Sequence, residues 1–519
     1  MELGENENAK LLRPGQASPA VVPTAPIRDK GSSSRYSITN LEMDGALPPP
    51  GLRELSEICN IITDSVKIIS NTLTSAGLDF PSLGTPFTTA SEAARSIPEV
   101  RDAAATIAAA AAQLAATVCP PPMTVLKTAM LFNVSAALNI ACEAHVAEII
   151  RTTGSQGLDV VAISKPSGID PAKLSRVLRL LVTYNIFQEV SPDVFAHNRL
   201  SALLDTGKSL EAIIASPKHK HDHTMGIAAA IGHEADEAMK AVSYLTEVVF
   251  DPVAGHANDI HNLGFNRGLQ TPRTMWEFYD LPDQDFRLRR FGTAMEGTKN
   301  MAPPLAIVEG IDWTASGEDA LVVDVGGGIG AQALTLSRSF PYLRFVVQDR
   351  EPLMESAKKF WMAENPDALK SGRTQLEAHD FFGPQNVKDA DIFLIRMILH
   401  DYPHQDCLTI LRHLRAAAKR STQLVIVDNI MAYACEEPAA NEIPGAALPA
   451  PPAPLLPNFG DANSVAYLMD VQMMGLTGGV ERTLTQVRDL LAEAGWKVSR
   501  VHHGAPFVLS HQKILAVPV

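Results

Sequence analysis

The sequence predicts an α/β chain in which a Rossmann-like, doubly wound sheet at the C-terminus follows a mainly helical winged-helix domain. Three observations predict it. Beyond residue 300, unbroken apolar runs alternate with amphipathic stretches; VVDVGGGIGAQAL (322–334) passes from β-branched residues through glycines into a helix; and residues 164–190 pair a short and a longer helix before a strand-like segment.

At 519 residues the chain is too long for one ordinary core. It divides into a disordered tail (1–50), N-terminal helices (51–122), a winged-helix/helical domain (123–300) and a ligand-binding domain (301–519) holding a Pro/Ala-rich insert (435–458), expected as a disordered insert rather than a semi-rigid cover over the pocket. The tail is rich in Pro, Ser and Gly and has no sustained period. Leu52, Leu55, Ile58, Ile62, Ile69 and Leu73 recur at three- and four-residue steps, the stripe of an amphipathic helix. A second, alanine-rich helix covers 103–118 and stops before Pro120–Pro122. Its charge-free run is shorter than the roughly 20 residues a bilayer demands, so a packed helix is expected and no membrane partner.

In SKPSGIDPAKLSRVLRLLVTYNIFQEV, Leu174, Val177, Leu178 and Leu181 point inward and Lys173, Arg176 and Arg179 lie on another face. Those basic residues could meet phosphates, but the formal charge of −14, from 44 Lys+Arg and 58 Asp+Glu, argues against nucleic acid. A packing or dimerisation role is the reading preferred. His219, His221 and His223 in KHKHDHT alternate as metal ligands can, but a solvated loop is expected.

Strands are expected at 320–325, 344–348, 374–378, 391–396 and 423–428, with helices at 330–339, 352–363 and 405–418 between them. Non-alternating strands separated by helices imply a parallel sheet covered on both faces. A helix at 483–494 and two strands at 497–502 and 506–517 complete the domain. Five dispersed cysteines without CxxC spacing suggest neither a disulfide framework nor a zinc site and fit a cytoplasmic setting; MELGENENAK has no secretory character.

Gly326, Gly328 and Gly330 occupy the first strand-to-helix turn, where a bare backbone and unpaired N–H groups receive ligands. The same residues with Ala331 satisfy a dinucleotide pattern, and Asp349 ends the next strand where a ribose acceptor belongs. Against a nicotinamide cofactor stand Asp324, which makes the turn DxGxGxG, and Asp380 with Phe381 in HDFF, a carboxylate and a ring suited to adenine. IRMILHDYP, VIVDN and GGVERT (478–483) follow in order.

In these ordered motifs the sequence resembles the plant and fungal small-molecule O-methyltransferases over residues 123–519. It is most similar to the fungal members, partly through MWEFYDLPDQDFRLRRFGTAM (275–295). The resemblance implies a class I methyltransferase fold, S-adenosylmethionine as donor, no metal, a hydroxylated small-molecule acceptor and a homodimer. It assigns His400 as general base, with Glu481 and Asp428 as its acidic partners and Glu481 the orienting one. Asp428 replaces the glutamate usual in plant relatives, and its shorter side chain leaves its reach open. The resemblance also places Gly326 and Gly328 at the methionine end of the donor, Asp349 at the ribose, Asp380 and Phe381 at adenine, and Arg396 where many plant members have lysine. On the substrate side it implies Asp401, beside the base and fixing local contacts, and Met473, on the helix that lines the acceptor pocket. An NAD(P)-dependent oxidoreductase and a catalytically silent winged-helix regulator remain the alternatives.

Overall fold

The strand runs found in the sequence assemble into a seven-stranded sheet in a computed structural model, in the spatial order Trp496–His502, Gln512–Pro518, Gln423–Asp428, Ile392–Arg396, Leu321–Val325, Arg344–Asp349, Thr374–Ala378. It describes residues 49–519 apart from 258, 300, 302, 304, 438–441, 448–449 and 505–511. The expected tail therefore lies almost wholly outside the described residues.

The five strands β4 (Leu321–Val325), β5 (Arg344–Asp349), β6 (Thr374–Ala378), β7 (Ile392–Arg396) and β8 (Gln423–Asp428) are parallel. The parallel expectation stops there. Only residues 503–511 separate β11 (Trp496–His502) from β12 (Gln512–Pro518), fewer than the dozen or so that a parallel crossover requires, so the two pair antiparallel, and β12 adds antiparallel to β8. Alternate residues of the same strands feed two cores. Val323, Val325, Phe393, Ile395 and Ile426 pack on one face with the helices His404–Ala417 and Leu484–Glu493. Val322, Phe345, Val347 and Leu394 pack on the other with Trp361 and the helix Ala331–Ser339. Burial on both faces explains why these strands read as continuous apolar runs. The chain turns outward from β4 to β5 and β6, then returns to β7, so the sheet's switch point opens between the carboxyl ends of β4 and β7.

The winged region forms from the helices Val160–Ser167 and Pro171–Thr183 and a small sheet of β1 (Leu158–Asp159), β2 (Gln188–Ser191) and β3 (Val194–Ala196) in the order β1-β3-β2. Asp170 caps the longer helix by accepting from the Lys173 N–H at 3.1 Å, and Leu174, Leu178 and Leu181 are fully buried. Arg179 pairs with Glu189 at 3.1 Å and Asp193 at 2.8 Å. At least that member of the basic face is neutralised within the wing.

Ahead of it, helices α1 (Pro50–Ala76) and α2 (Pro98–Val118) form a hairpin whose interface includes Ile58, Val100, Ala109 and Ala110. Ala103, Ala105, Ala109 and Ala110 of α2 are packing residues. No single helix among the described residues is long and apolar enough to cross a membrane. Prolines 120–122 do more than stop α2, because Pro121 is the first residue of helix α3 (Pro121–Ala129); helix α4 (Phe132–Glu143) follows.

Two expectations need correcting. The histidine segment is solvated only in part: His219 and His223 are exposed as expected, His219 bonding Asp222 at 2.8 Å, but His221 is 4% exposed, packs near Phe286 and has neither ring nitrogen hydrogen-bonded. Nor are the described parts of the Pro/Ala-rich insert loose. The Pro444 carbonyl accepts from the Val501 N–H at 2.9 Å, Ala446 enters the sheet's core, and Leu455 is buried against Ile58, Ala109 and Ala110.

Candidate active site

The site grows from the ends of β4, β5, β7 and β8. β4 is buried along its whole length and delivers Asp324 two residues before the glycine turn. Gly328 has φ +61 and open space where a side chain would begin, so the turn presents backbone alone. Gly326, with φ +68, lies against Ile398 and near the Phe381 ring. Asp349 ends β5 and fixes the turn: one carboxylate oxygen accepts from the Gly328 N–H at 2.7 Å, the other from Arg350 N–H at 2.7 Å. Asp380 accepts from the Phe382 N–H at 3.0 Å, and the rings of Phe381, Phe382 and Tyr402 pack edge to face.

Asp324 is 2% exposed, and its Oδ2 has no hydrogen-bond partner. Burial pushes its carboxyl up to about 7, with Asp349 adding to the rise and Arg396 opposing it. Arg396 ends β7, and burial lowers its pKa against the pull of Asp324, Asp428 and Glu296. An orphaned carboxylate oxygen beside a bare glycine turn is an arrangement that receives a positively charged or N–H-donating ligand. The residues present thus fit the amino-acid end and ribose of S-adenosylmethionine.

A second group stands at the ends of β7 and β8. His400 is in the short turn Leu399–Asp401, and its Nδ1 is 2.8 Å from Glu481 Oε1; its Nε2 is 3.5 Å from Asp401 Oδ1. The two sequence motifs meet because Gly479 has no side chain: a Cβ there would lie 2.0 Å from the His400 carbonyl oxygen. The Val480 N–H donates to that same carbonyl at 2.9 Å. Arg482 clamps the turn, donating to Leu399 O at 2.6 Å and Tyr402 O at 2.9 Å, and it opens β10 (Arg482–Thr483), which pairs with β9 (Ile430–Met431).

Asp428 reaches this group only through its field. Its Oδ1 accepts from the Met397 N–H at 2.9 Å, at a residue with φ +52, because the short side chain ends beside the neighbouring strand. Burial pushes Asp428 up to about 7 and Asp401 up to about 6, while the His400 charge opposes both rises. Burial by itself would lower His400, but Asp401, the bond and charge of Glu481, and Asp428 together raise it to about 10.

Met473 departs from the expected pocket wall. It is 8% exposed and packs with Phe265, Met275, Tyr279 and Leu476, where its helix (Ser464–Leu476) meets the helical region. Met469, one turn earlier, is the methionine beside the β8 end, with its sulfur 3.9 Å from the Asn429 amide nitrogen. Sequence reasoning also missed Asp470, which accepts from the Glu481 N–H at 2.9 Å, and the clamp by Arg482. Arg482 was visible as the residue after Glu481 in GGVERT; nothing local marks Asp470.

The sequence matches an O-methyltransferase domain over residues 300–447 and an O-methyltransferase dimerisation domain over residues 126–207. It is 41% identical over 456 residues to 4-O-methyltransferase 1 of Phanerochaete chrysosporium, covering 88% of this chain and 96% of that one. An O-methyltransferase of Armillaria gallica is 40% identical over 457 residues, again covering 88% and 96%. Among solved structures, that of OxaC in complex with SAH and oxaline matches with a TM-score of 0.59 at 20% identity, covering 89% of this chain and all of that one.

Proposed function

Since the chain belongs to the fungal O-methyltransferase family and is a methyltransferase, we propose that it moves a methyl group from S-adenosylmethionine to a hydroxyl of a small aromatic metabolite, with His400 as general base. The dinucleotide reading of the glycine turn falls with that family assignment. The observation that carries the proposal is the 2.8 Å contact between His400 Nδ1 and Glu481. With Nδ1–H donated to a buried carboxylate, the lone pair of Nε2 is left for an acceptor's proton. S-adenosylmethionine, when bound, supplies a methyl on a positively charged sulfur that leaves as a neutral thioether.

His400 Nε2 takes the hydroxyl proton as the new O–C bond forms, and Glu481, Asp401 and Asp428 stabilise the resulting imidazolium. The same carboxylates hold a proton on His400 when no other cation is near. A positive charge brought to the site opposes this, so donor binding and activation of the base share one electrostatic origin. Gly326 and Gly328 admit the donor's backbone-like end, Asp324 and Arg396 receive its charged groups, Asp349 its ribose, and Asp380 with Phe381 its adenine. Asp401 and Met469 border the acceptor, and Met473 acts behind them through packing.

Met123, Val125, Leu126 and Phe132 of α3 and α4 are 54–71% exposed. A patch of that kind supports a homodimer through the dimerisation domain. Free cysteines support a cytoplasmic setting. The test is a screen of phenolic acceptors with labelled donor, beside calorimetry with S-adenosylhomocysteine. Binding of S-adenosylhomocysteine with label found on an acceptor oxygen is expected; label on nitrogen or carbon alone, or no binding, would sink the reading.

A further inference from the structure

The alanine-rich helix α2 and the proline-rich insert look unrelated in the sequence, yet each is the other's packing partner. Leu455 is buried among Ile58 of α1 and Ala109 and Ala110 of α2, and Gln113 Nε2 donates to the Pro454 carbonyl at 2.9 Å. Phe459 packs on the same cluster. At the hairpin's far end, the segment between α1 and α2 is tied to the winged region: Arg199 N–H donates to Leu83 O at 3.0 Å, Gln188 Nε2 to Gly84 O at 3.1 Å, and the Arg199 guanidinium pairs with Glu92. Residues 50–118 therefore strap the winged region to the insert.

The insert in turn runs straight into the helix Ser464–Leu476. Tyr467 on that helix accepts from Asn458 Nδ2 at 2.9 Å and donates to Ala432 O at 2.6 Å, closing the base of the insert. Within the next turn, Met469 stands beside Asn429 and Asp470 holds the Glu481 N–H. Leu455 is thus connected to the acceptor side and to the carboxylate behind His400 by one continuous segment.

We propose that the α1–α2 hairpin is a specificity element: by clamping residues 454–463 it fixes the position of the 464–476 helix and so determines which acceptors are held in register with His400. The inference rests on the acceptor lying on that side of the site. Ile58, Gln113 and Leu455 are positioning residues, touching neither donor nor acceptor. A helix displaced by about 1 Å is enough to change turnover by roughly 10²-fold when the reacting atoms must align.

The experiment compares the full chain with Gln113→Ala, which removes one hydrogen bond, and Leu455→Ser, which opens the buried contact. Each is assayed with a large and a small phenolic acceptor, with S-adenosylhomocysteine affinity by calorimetry and limited proteolysis of the insert as controls. The expected result is a rise in acceptor KM of roughly tenfold for Leu455→Ser and less for Gln113→Ala, an altered large-to-small preference, faster cleavage of the insert and unchanged S-adenosylhomocysteine affinity. Unchanged KM and preference despite faster cleavage would overturn the proposal. So would loss of S-adenosylhomocysteine affinity in step with KM, since that reports general unfolding. Failure of the unsubstituted chain to methylate any acceptor would count against the proposed function instead. The clamp would then be judged by proteolysis, where equal cleavage in all three proteins overturns it.

Discussion

Among the described residues, two histidines are buried against a glutamate, and their surroundings are opposite in sign. His233 lies 3.5 Å from Glu237, in the π-turn Glu234–Ala238, with the Tyr279 hydroxyl at 3.3 Å. Around it Arg290 meets Glu237 at 2.5 Å and Asp236 at 2.9 Å, Arg287 reaches both carboxylates, and Lys240 pairs with Asp236. Burial would raise these acids, but their partners win: Lys240, Arg290 and Arg287 bring Asp236 down to about 2, and the bond to His233 with the charge of Arg290 lowers Glu237. At His400 the carboxylates of Glu481, Asp401 and Asp428 gather with no comparable set of cations, because Arg482 directs its guanidinium to backbone carbonyls. There burial wins, and Asp401 and Asp428 rise. Compensated charge is how a fold joins two helices; uncompensated charge of one sign is how a site keeps a proton mobile.

The two clusters differ most in what their histidines do. His400→Ala should lower turnover by ~10²–10⁴-fold while S-adenosylhomocysteine still binds, read by initial rates and calorimetry; the same change at His233 should leave rates comparatively intact. Arg290→Met leaves Glu237 and Asp236 buried with too little positive charge and should cost about 3–5 kcal/mol of stability in denaturant titration. A loss confined to activity would show that the helical cluster is not the structural one.

Acidity sharpens the contrast. Asp236 has a lowered folded pKa, so its stabilisation is present above the ordinary carboxylate range and is lost as pH falls through about 2. Asp428 has a raised one, so its favourable contribution belongs to low pH and is lost as pH rises through about 7. At pH 8, Asp236→Asn should therefore lower Tm and Asp428→Asn should hold or raise it. Opposite shifts in thermal melts would contradict the two environments.

The smallest expected effect is on the pH profile. Asp401 raises His400, so Asp401→Asn should move the alkaline-rising limb of kcat/KM toward lower pH. A limb that stays in place would mean that Asp401 does not face the base.

Much of the sheet was legible because strands buried on both faces are written as unbroken apolar runs, and the helices between them carry their own period. The glycine turn was legible for a similar reason, since the tolerance of a positive φ that Gly326 and Gly328 use is a property of glycine itself. The antiparallel β11–β12 edge was not, because pairing direction depends on what the chain does between strands.

Sequence by itself determined the order of elements, the position of the turn and the identity of His400 and Glu481 as a motif pair, all of which follow from local spacing or from likeness to relatives. Only the packed chain settled the reach of Asp428, which turns to the Met397 N–H, while Glu481, expected as the orienting partner, meets Nδ1 from 81 residues away. It also buried Met473 among Phe265, Met275 and Tyr279 and joined Gln113 to Pro454 across 341 residues. Such contacts depend on side-chain length and on which surfaces the packed sheet brings together, and neither has a period along the chain.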